Sequence, residues 1–226
     1  MHAGCESLQK FQIEQLIHNY SYLAQQKDIL LRYSVRDDKT LGRRFRDFDS
    51  IRTSTIFSID DDILMPSQNI EYGYRIWKKH PTQLVGFLAR YLGIQKANVS
   101  GQRDILKYEV PGSFKKIRLI LTGVAFIGRE LALAYYSPDN KLNLNLVQTM
   151  NNCEDVLMNF VAMNKTNLSA VFVLKPFNHI GKNRLSQKTR NKHFGNRTIC
   201  VNKFYESFGR YPPIIPNDCI YISKNS

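Results

Sequence analysis

Hydrophobic positions along this chain follow two patterns, a spacing of three and four residues typical of helices and short unbroken runs typical of buried strands. Helical spacing predicts helices over residues 6–27, 68–79 and 153–164, a shorter helix from Glu130 to Tyr136, and a last one over residues 199–208. Apolar runs predict strands over residues 28–35, 56–59, 83–88, 107–110, 117–127 and 168–174. Strands that alternate with helices indicate an α/β fold.

Four stretches interrupt this alternation. Residues 92–106 predict a polar loop, and residues 178–197, rich in Gly, Asn and basic side chains, predict a mobile basic loop. Regular structure is expected to end at Tyr211. Residues 36–50 are crowded with charge and predict a loop or short helix, which is either a solvated surface or a phosphate-facing segment.

Three smaller features refine the expected packing. Trp77 shares a helical stripe with Ile70 and Tyr74, which favours core packing over ligand stacking. Gly123 interrupts a buried run at a point where a missing side chain allows close approach to a ligand. Residues 151–152 are candidate helix caps, followed by carboxylates that complement the helix dipole.

Three adjacent carboxylates, Asp60, Asp61 and Asp62, follow the predicted strand over residues 56–59. Crowded carboxylates repel one another, so a cation near them is favourable. Mg²⁺ and Mn²⁺ prefer oxygen ligands of this kind, and open α/β folds bind ligands at the carboxyl ends of strands. The triplet is therefore either a metal–diphosphate site or a solvated acidic turn, because Asp is also a common turn residue.

Charge points to an anionic partner. The 226 residues carry a net charge of +13, and no acidic residue occurs from Val156 to Tyr205. Nucleotides, anionic glycans, nucleic acids and membrane surfaces all fit such a surplus. No recognised nucleic-acid-binding motif accompanies the charge, so we expect no nucleic-acid partner. We expect no signal peptide, because residues 1–10 are polar, and the longest apolar stretch, residues 117–127, is too short to span a bilayer.

Cysteines and glycosylation motifs bear on the compartment. Four cysteines occur, none in a Cys-x-x-Cys pair, which disfavours a structural zinc site. Asn-x-Ser/Thr motifs begin at Asn19, Asn98, Asn164, Asn167 and Asn196. They favour a secretory-pathway lumen weakly, because each can arise by chance.

An ordered set of segments resembles one family. The segments are residues 57–63 (FSIDDDI), 75–81 (RIWKKHP), 83–90 (QLVGFLAR), 121–127 (LTGVAFI), 151–160 (NNCEDVLMNF) and 197–204 (RTICVNKF). In this order they resemble the carboxyl-terminal glycosyltransferase domain of the exostosin and exostosin-like proteins. The resemblance implies a GT-A fold, a Rossmann-like domain with a mixed sheet flanked by helices that binds nucleotide-diphospho-sugars.

The resemblance also implies roles for particular residues. Asp62 would ligate Mn²⁺, while Asp60, Asp61, Arg44 and Asn152 would hold the nucleotide-sugar. Asp155 would lie near the donor sugar and the acceptor, and Arg197 would steady the diphosphate as it leaves, which suits the two-point fork of a guanidinium. Cys153 and Cys200 would form a disulfide that links the segments of Asp155 and Arg197.

The activity implied is retaining transfer of an N-acetylhexosamine or related sugar from a UDP-sugar to a glycan, glycolipid or protein acceptor, in the endoplasmic reticulum or Golgi lumen. Relatives are membrane-anchored, although this sequence shows no anchor of its own. Retention is usually explained by attack on the face that the diphosphate leaves, whereas a double displacement needs a carboxylate nucleophile, for which Asp155 is the obvious candidate. The alternative is a catalytically impaired member that binds anionic glycans.

The chain departs from the family pattern near its start. We expect a single glycosyltransferase domain in which residues 1–27 are divergent or truncated, residues 28–215 are family-like and residues 216–226 form a tail. The family's usual first strand is expected to be missing. Ahead of the acidic triplet Arg44 is kept, but Gly42 and Arg43 stand where the family has Asn.

Overall fold

The computed structural model describes residues 41–46, 52–97, 102–110, 112, 116–180 and 187–222. The helix predicted over residues 6–27 and the strand over 28–35 lie outside these ranges. The described strands are β1 (Thr55–Ile59), β2 (Ile63–Leu64), β3 (Val85–Gly86), β4 (Ala89–Gln95), β5 (Ile105–Glu109), β6 (Ile117–Ile120), β7 (Val124–Gly128), β8 (Val171–Leu174), β9 (Asn178–His179) and β10 (Ile220–Ile222). The α-helices are α1 (Ser67–Lys79), α2 (Arg129–Tyr135), α3 (Lys141–Met150), α4 (Glu154–Thr166) and α5 (Gln187–Phe208), with short 3-10 helices at Leu41–Phe45, Pro138–Asn140 and Asn217–Cys219.

The largest described sheet is mixed, with five strands in the order β1-β7-β3-β8-β10. Strand β7 is antiparallel to β1 and β3, whereas β3 pairs in parallel with β8 and β8 with β10. The carboxyl ends of β1, β3 and β8 consequently lie at one edge of the sheet. The acidic triplet follows β1 directly, so it lies at the edge where open α/β folds bind ligands.

Helices cover both faces of this sheet, as an α/β fold requires. On β7, Val124 and Phe126 pack in one apolar cluster with Trp77 of α1, which is buried as predicted. Ala125 and Ile127 belong to the second cluster, with residues of α2, α4 and α5. A strand that is buried on both faces has an unbroken apolar sequence, and residues 124–127 (VAFI) have such a sequence.

A three-stranded antiparallel sheet, β5-β4-β6, is joined to helices α4 and α5 through two buried or half-buried amides. Asn159 of α4 accepts a hydrogen bond from the Ile120 N–H at 2.9 Å and donates to its carbonyl at 2.7 Å. Asn202 of α5 does the same at Leu106, at 3.0 and 2.8 Å. These bonds satisfy backbone groups of β6 and β5 and fix both helices against the sheet.

Three predictions about irregular regions are wrong. Residues 92–95 belong to β4 and residue 105 begins β5, so the segment 92–106 is a loop only in part. Residues 187–197 form the first half of α5, a 22-residue helix, where a mobile loop was predicted. Regular structure does not end at Tyr211, because β10 pairs with β8.

The strand predicted over residues 83–88 is present but limited to β3, and the run 117–127 divides into β6 and β7 around Thr122 and Gly123 as expected. In the described ranges, none of the helices combines the length and the apolar character needed to cross a membrane.

Candidate active site

The acidic triplet forms the turn between β1 and β2. The Asp60 N–H donates to the Gly123 carbonyl at 2.8 Å, and the Ile63 N–H donates back to the Asp60 carbonyl at 3.2 Å. Asp60 is half-buried, while Asp61 and Asp62 are exposed. The three carboxylates therefore share one short turn but have different surroundings.

Arg44, on the 3-10 helix that precedes β1, pairs with the first carboxylate. Its Nη1 donates to Asp60 Oδ1 at 2.7 Å. Burial lowers the pKa of Arg44, but attraction to Asp60, Glu154 and Asp155 outweighs burial and raises this pKa above its usual value. The 3-10 helix therefore places Arg44 in contact with the acidic turn, where the carboxylates of α4 also attract it.

Gly123 makes room for this arrangement. A Cβ atom at this position would lie 2.2 Å from Asp60 Oδ2, closer than any real Cβ contact. The close approach predicted at Gly123 is therefore made by the Asp60 carboxylate itself.

The surroundings of Asp62 offer one carboxylate and one imidazole that could hold a divalent cation. Its Oδ2 lies 3.9 Å from His179 Nδ1, and both side chains are more than half exposed. The β2–β9 pairing and a 2.8 Å hydrogen bond from the Ile180 N–H to the Asp62 carbonyl hold this contact. Carboxylate oxygens suit Mn²⁺, whereas imidazole is the more usual ligand of Zn, Cu, Fe and Ni, so Asp62 is the better ligand of the two. Because no group of three or more His, Cys, Asp or Glu suited to a metal occurs among the described residues, ligand oxygens would have to complete the coordination.

Arg197 of α5 is the centre of the second half of the site. Its Nη2 lies 2.9 Å from Asp155 Oδ2, its Nε donates to Asn152 Oδ1 at 3.1 Å, and its Nη1 donates to the Tyr108 hydroxyl. Burial lowers the pKa of Arg197, but the pull of Asp155, Tyr108 and Glu154 outweighs burial and raises it far above the usual value. A guanidinium has five N–H groups, so two of them make no hydrogen bond to another described residue and could donate to a ligand.

The partners of Arg197 come from different elements. Asp155 lies in the first turn of α4, where its Oδ1 also accepts the Val156 N–H at 2.7 Å. Asn152 precedes that helix, and Tyr108 comes from β5. Asp155 and Arg197 are 3% and 7% exposed, so the ion pair is desolvated and depends on these hydrogen bonds for its stability.

The disulfide between Cys153 and Cys200, implied by the resemblance, is present and spans a sequence separation of 47 residues. It joins the start of α4 to the middle of α5, beside Asp155 and Arg197. The predicted caps are wrong, however. Cys153, in a left-handed conformation with φ of 76°, is the N-cap, and no side chain caps α4. Asn151 ends the preceding helix, while Asn152 binds Arg197 instead.

Glu154 is a buried carboxylate that sequence reasoning assigned only to the helix dipole. It is 5% exposed, and its Oε2 makes no hydrogen bond among the described residues. Burial and the neighbouring Asp155 raise its pKa to about 7, although Arg197 and Arg44 act in the opposite direction. Buried groups with strongly perturbed pKa values are enriched at functional sites, and the pairing of Glu154 with Asp155 in the sequence was the available signal.

Tyr108, His179 and His193 were also missed. His193 lies 3.2 Å from Asn152 Nδ2, and burial followed by the charge of Arg197 lowers its pKa. These residues occupy a strand interior, a two-residue strand and a helix that was predicted as a loop. Their positions beside Asp62 and Arg197 depend on tertiary pairing, which single-sequence patterns do not reveal.

The structure thus brings Arg44 to Asp60 directly, and Asn152, Asp155 and Arg197 into one hydrogen-bonded group. Asp61 and Asp62 are on the acidic turn, and Arg44 links the two groups electrostatically. The fold is that of an α/β protein, and a group of polar and charged side chains at the carboxyl edge of its mixed sheet forms the candidate site. The chain belongs to the glycosyl transferase family 64 domain, whose sequence profile matches residues 12–219.

Named relatives agree with this assignment. The chain is 32% identical over 187 residues to glucosamine inositolphosphorylceramide transferase 1 of Oryza sativa subsp. indica, covering 80% of this chain and 24% of that protein. It is 29% identical over 205 residues to glycosylinositol phosphorylceramide mannosyl transferase 1 of Arabidopsis thaliana, covering 88% of this chain and 59% of that protein. It is 32% identical over 181 residues to exostosin-2 of Mus musculus, covering 77% of this chain and 24% of that protein.

Proposed function

We propose that the chain is a metal-dependent, retaining glycosyltransferase that transfers an N-acetylhexosamine or a related sugar from a UDP-sugar to a glycan, glycolipid or protein acceptor. The observation that carries this proposal is the pairing of an exposed acidic turn at the carboxyl edge of the sheet with the buried Asp155–Arg197 ion pair. Membership in the family supports the reaction class, and the acidic turn supports a diphosphate donor bound with a cation.

Donor binding is assigned to the acidic turn and its partners. Asp62, with His179 beside it, would hold Mn²⁺, which supplies charge stabilisation to a leaving diphosphate when bound. The Arg44–Asp60 pair and Asp61 would orient the sugar and nucleotide. On the other side, Asn152 holds Arg197 at its Nε. The N–H groups of Arg197 that make no hydrogen bond to another described residue are suited to oxygen atoms of the donor, because charge-assisted bonds to phosphate are strong and directional.

The environment of Asp155 favours attack on the face that the diphosphate leaves. One of its oxygens is bound to Arg197 and the other accepts the Val156 N–H, and the residue is 3% exposed. A carboxylate that is engaged in this way is a weak nucleophile and has little access to an anomeric carbon. Asp155 therefore orients Arg197, and the proton of the acceptor passes to the leaving phosphate oxygen rather than to an enzymic base.

The acceptor and the setting are inferred from charge and from the relatives. A net charge of +13 favours an anionic acceptor, such as a phosphorylated glycolipid or an acidic glycan. Two of the relatives have inositolphosphorylceramide or glycosylinositol phosphorylceramide in their names. We place the reaction in the lumen of the endoplasmic reticulum or Golgi, at a membrane surface.

Turnover of nucleotide-sugars tests the proposal. The purified chain is incubated with UDP-N-acetylglucosamine, UDP-N-acetylgalactosamine and GDP-mannose, with Mn²⁺ or with a chelator, and hydrolysis and anomeric configuration are followed by NMR. We expect turnover of a UDP-sugar with retention, loss of turnover in the chelator, and a loss of at least tenfold in Asp62→Ala. The exposed Asp218→Asn variant is the matched control. Full activity in Asp62→Ala would refute the metal assignment, and an absence of turnover with all three donors would contradict the proposed activity.

A further inference from the structure

Three glycosylation motifs lie in the described residues, and the asparagine of none of them has a part in the proposed reaction. They begin at Asn164, Asn167 and Asn196, and the structure places them in three different surroundings. The motifs at Asn19 and Asn98 lie outside the described residues. Transfer of a glycan occurs on the extended chain, so the fold determines which glycans can be accommodated afterwards.

The motif at Asn196 is built into the candidate active site. Its middle residue, Arg197, is buried and pairs with Asp155. Its third residue, Thr198, uses its Oγ1 to accept the Tyr108 N–H at 3.2 Å. A glycan on the half-buried Asn196 would stand next to these contacts, which argues against this position.

The motif at Asn167 has an asparagine with a structural role. Asn167 ends α4 in a left-handed conformation with φ of 58°. Its Oδ1 accepts a hydrogen bond from Arg210 Nη1 at 2.6 Å, and its N–H donates to the Met163 carbonyl at 2.8 Å. Its carboxamide is therefore engaged in fixing the segment after α5 to the end of α4.

Asn164 differs from both. Its side chain is exposed in the last turn of α4 and makes no hydrogen bond to another described residue. It opens onto a cavity of about 210 Å³ whose lining also includes Ser137, Asp139 and Phe208. An aromatic ring beside hydroxyl and carboxylate groups suits a sugar ring, which has both apolar C–H faces and hydroxyl groups.

Distance from the reaction also favours Asn164. Nine residues separate it from Asp155 along α4, which corresponds to roughly 13 Å along the helix axis. A glycan at Asn164 would therefore point away from the end of the helix that carries Glu154 and Asp155.

We propose that Asn164 is an N-linked glycosylation site whose first sugars lie in this cavity. Its Nδ2 forms a bond to the anomeric carbon of a lipid-diphosphate-linked oligosaccharide supplied by the secretory pathway, the bond from that carbon to the diphosphate breaks, the lipid diphosphate leaves, and Nδ2 loses one proton. The inference rests on the lumenal setting in the proposed function. Thr166 Oγ1 donates to the Ala162 carbonyl at 2.7 Å in the folded helix, so transfer precedes formation of this turn.

Site-specific mass spectrometry tests the proposal. The full chain is secreted from cultured eukaryotic cells behind a cleavable leader, and glycans are removed by an amidase in ¹⁸O-water, which marks each formerly glycosylated Asn. We expect the mark at Asn164 and at neither Asn167 nor Asn196. Asn164→Gln and Thr166→Ala should lose the glycan mass, whereas Thr166→Ser, which keeps both the hydroxyl and the motif, should retain it.

An unmarked Asn164, or a mark at Asn167 or Asn196 in its place, would overturn the proposal. If a variant is not secreted, the marked peptides of the unmodified sequence decide the outcome. Calorimetric binding of UDP with Mn²⁺, measured on the same sample, tests the proposed function separately. A marked Asn164 without UDP binding would support the glycosylation site and contradict the proposed glycosyltransferase function. UDP binding with an unmarked Asn164 would contradict the glycosylation site alone.

Discussion

Glu154 is the residue whose protonation the fold alters most clearly. Burial raises its pKa from the ordinary value of 4.5 to about 7. Between these two pH values the folded chain binds more protons at this position than the unfolded chain does. The free energy of unfolding therefore falls as pH rises across that window, and the contribution of the protonated form is present in full only below about pH 4.5.

Replacing Glu154 by Gln should remove this pH dependence. The variant cannot ionise, so its stability relative to the unmodified chain should increase by on the order of 3 kcal/mol between about pH 5 and pH 8. Urea unfolding of both proteins across this range measures the difference, in which other titrating groups cancel. Parallel stability curves would show that Glu154 titrates normally.

Tyr108 fixes the position of Arg197 in the candidate site. Its hydroxyl accepts from Arg197 Nη1, and its ring stacks edge-on against Phe194. Tyr108→Phe keeps the ring but removes the acceptor, so one N–H of a buried guanidinium loses its partner at a cost of about 2 kcal/mol.

We expect Tyr108→Phe to lower both the free energy of unfolding, measured in urea, and the affinity for UDP, measured by calorimetry. Tyr91→Phe, at a half-buried tyrosine of β4, is the matched control. Lost stability with unchanged UDP affinity would mean that Arg197 does not depend on Tyr108 for ligand binding.

At the scale of elements, the disulfide links α4 and α5 at the candidate site. A disulfide that closes a separation of 47 residues reduces the conformational entropy of the unfolded chain and so stabilises the fold by about 4 kcal/mol. The double variant Cys153→Ser, Cys200→Ser should lose stability of this order and bind UDP more weakly. Cys219→Ser, at the half-buried free cysteine, is the control. If reductant leaves the unfolding midpoint of the unmodified chain unchanged, the disulfide makes no such contribution.

Elements with strong apolar periodicity were predictable from the sequence. Helix α1 and strands β1 and β7 have patterns set by burial on one or both faces, and the structure confirms them. The first half of α5 was not predictable, because Arg197 occupies an inward position and Gly195 weakens the helical pattern. Strand β10 was missed because its short run becomes a strand only by pairing with β8.

Some residues of the candidate site were likewise predictable from the sequence, and others were not. The acidic triplet stands out because three adjacent carboxylates are costly without a cation, and the family resemblance supplied Arg44, Asn152, Asp155, Arg197 and the disulfide. The residues that surround them, Tyr108, Glu154, His179 and His193, were missed. Their significance arises from burial and from contacts between elements distant in the sequence, such as the 89 residues that separate Tyr108 from Arg197.

At the scale of the whole molecule, a positively charged protein carries an acidic turn at its candidate site. The net charge of +13 attracts anions to the surface. The exposed carboxylates of Asp61 and Asp62 would repel a diphosphate unless a divalent cation stood between them. Binding of the nucleotide and of the cation should therefore be mutually dependent, since a coupling between two ligands is reciprocal.

Calorimetric titration of the chain with UDP, with and without Mn²⁺, tests this central claim most directly. We predict that Mn²⁺ strengthens UDP binding at least tenfold, about 1.4 kcal/mol, and that Asp62→Asn abolishes this gain while the control Asp218→Asn keeps it. Equal UDP affinity with and without Mn²⁺, or an absence of UDP binding in both conditions, would contradict the account. In the second case a glycan-binding member of the family without donor binding would be the better description.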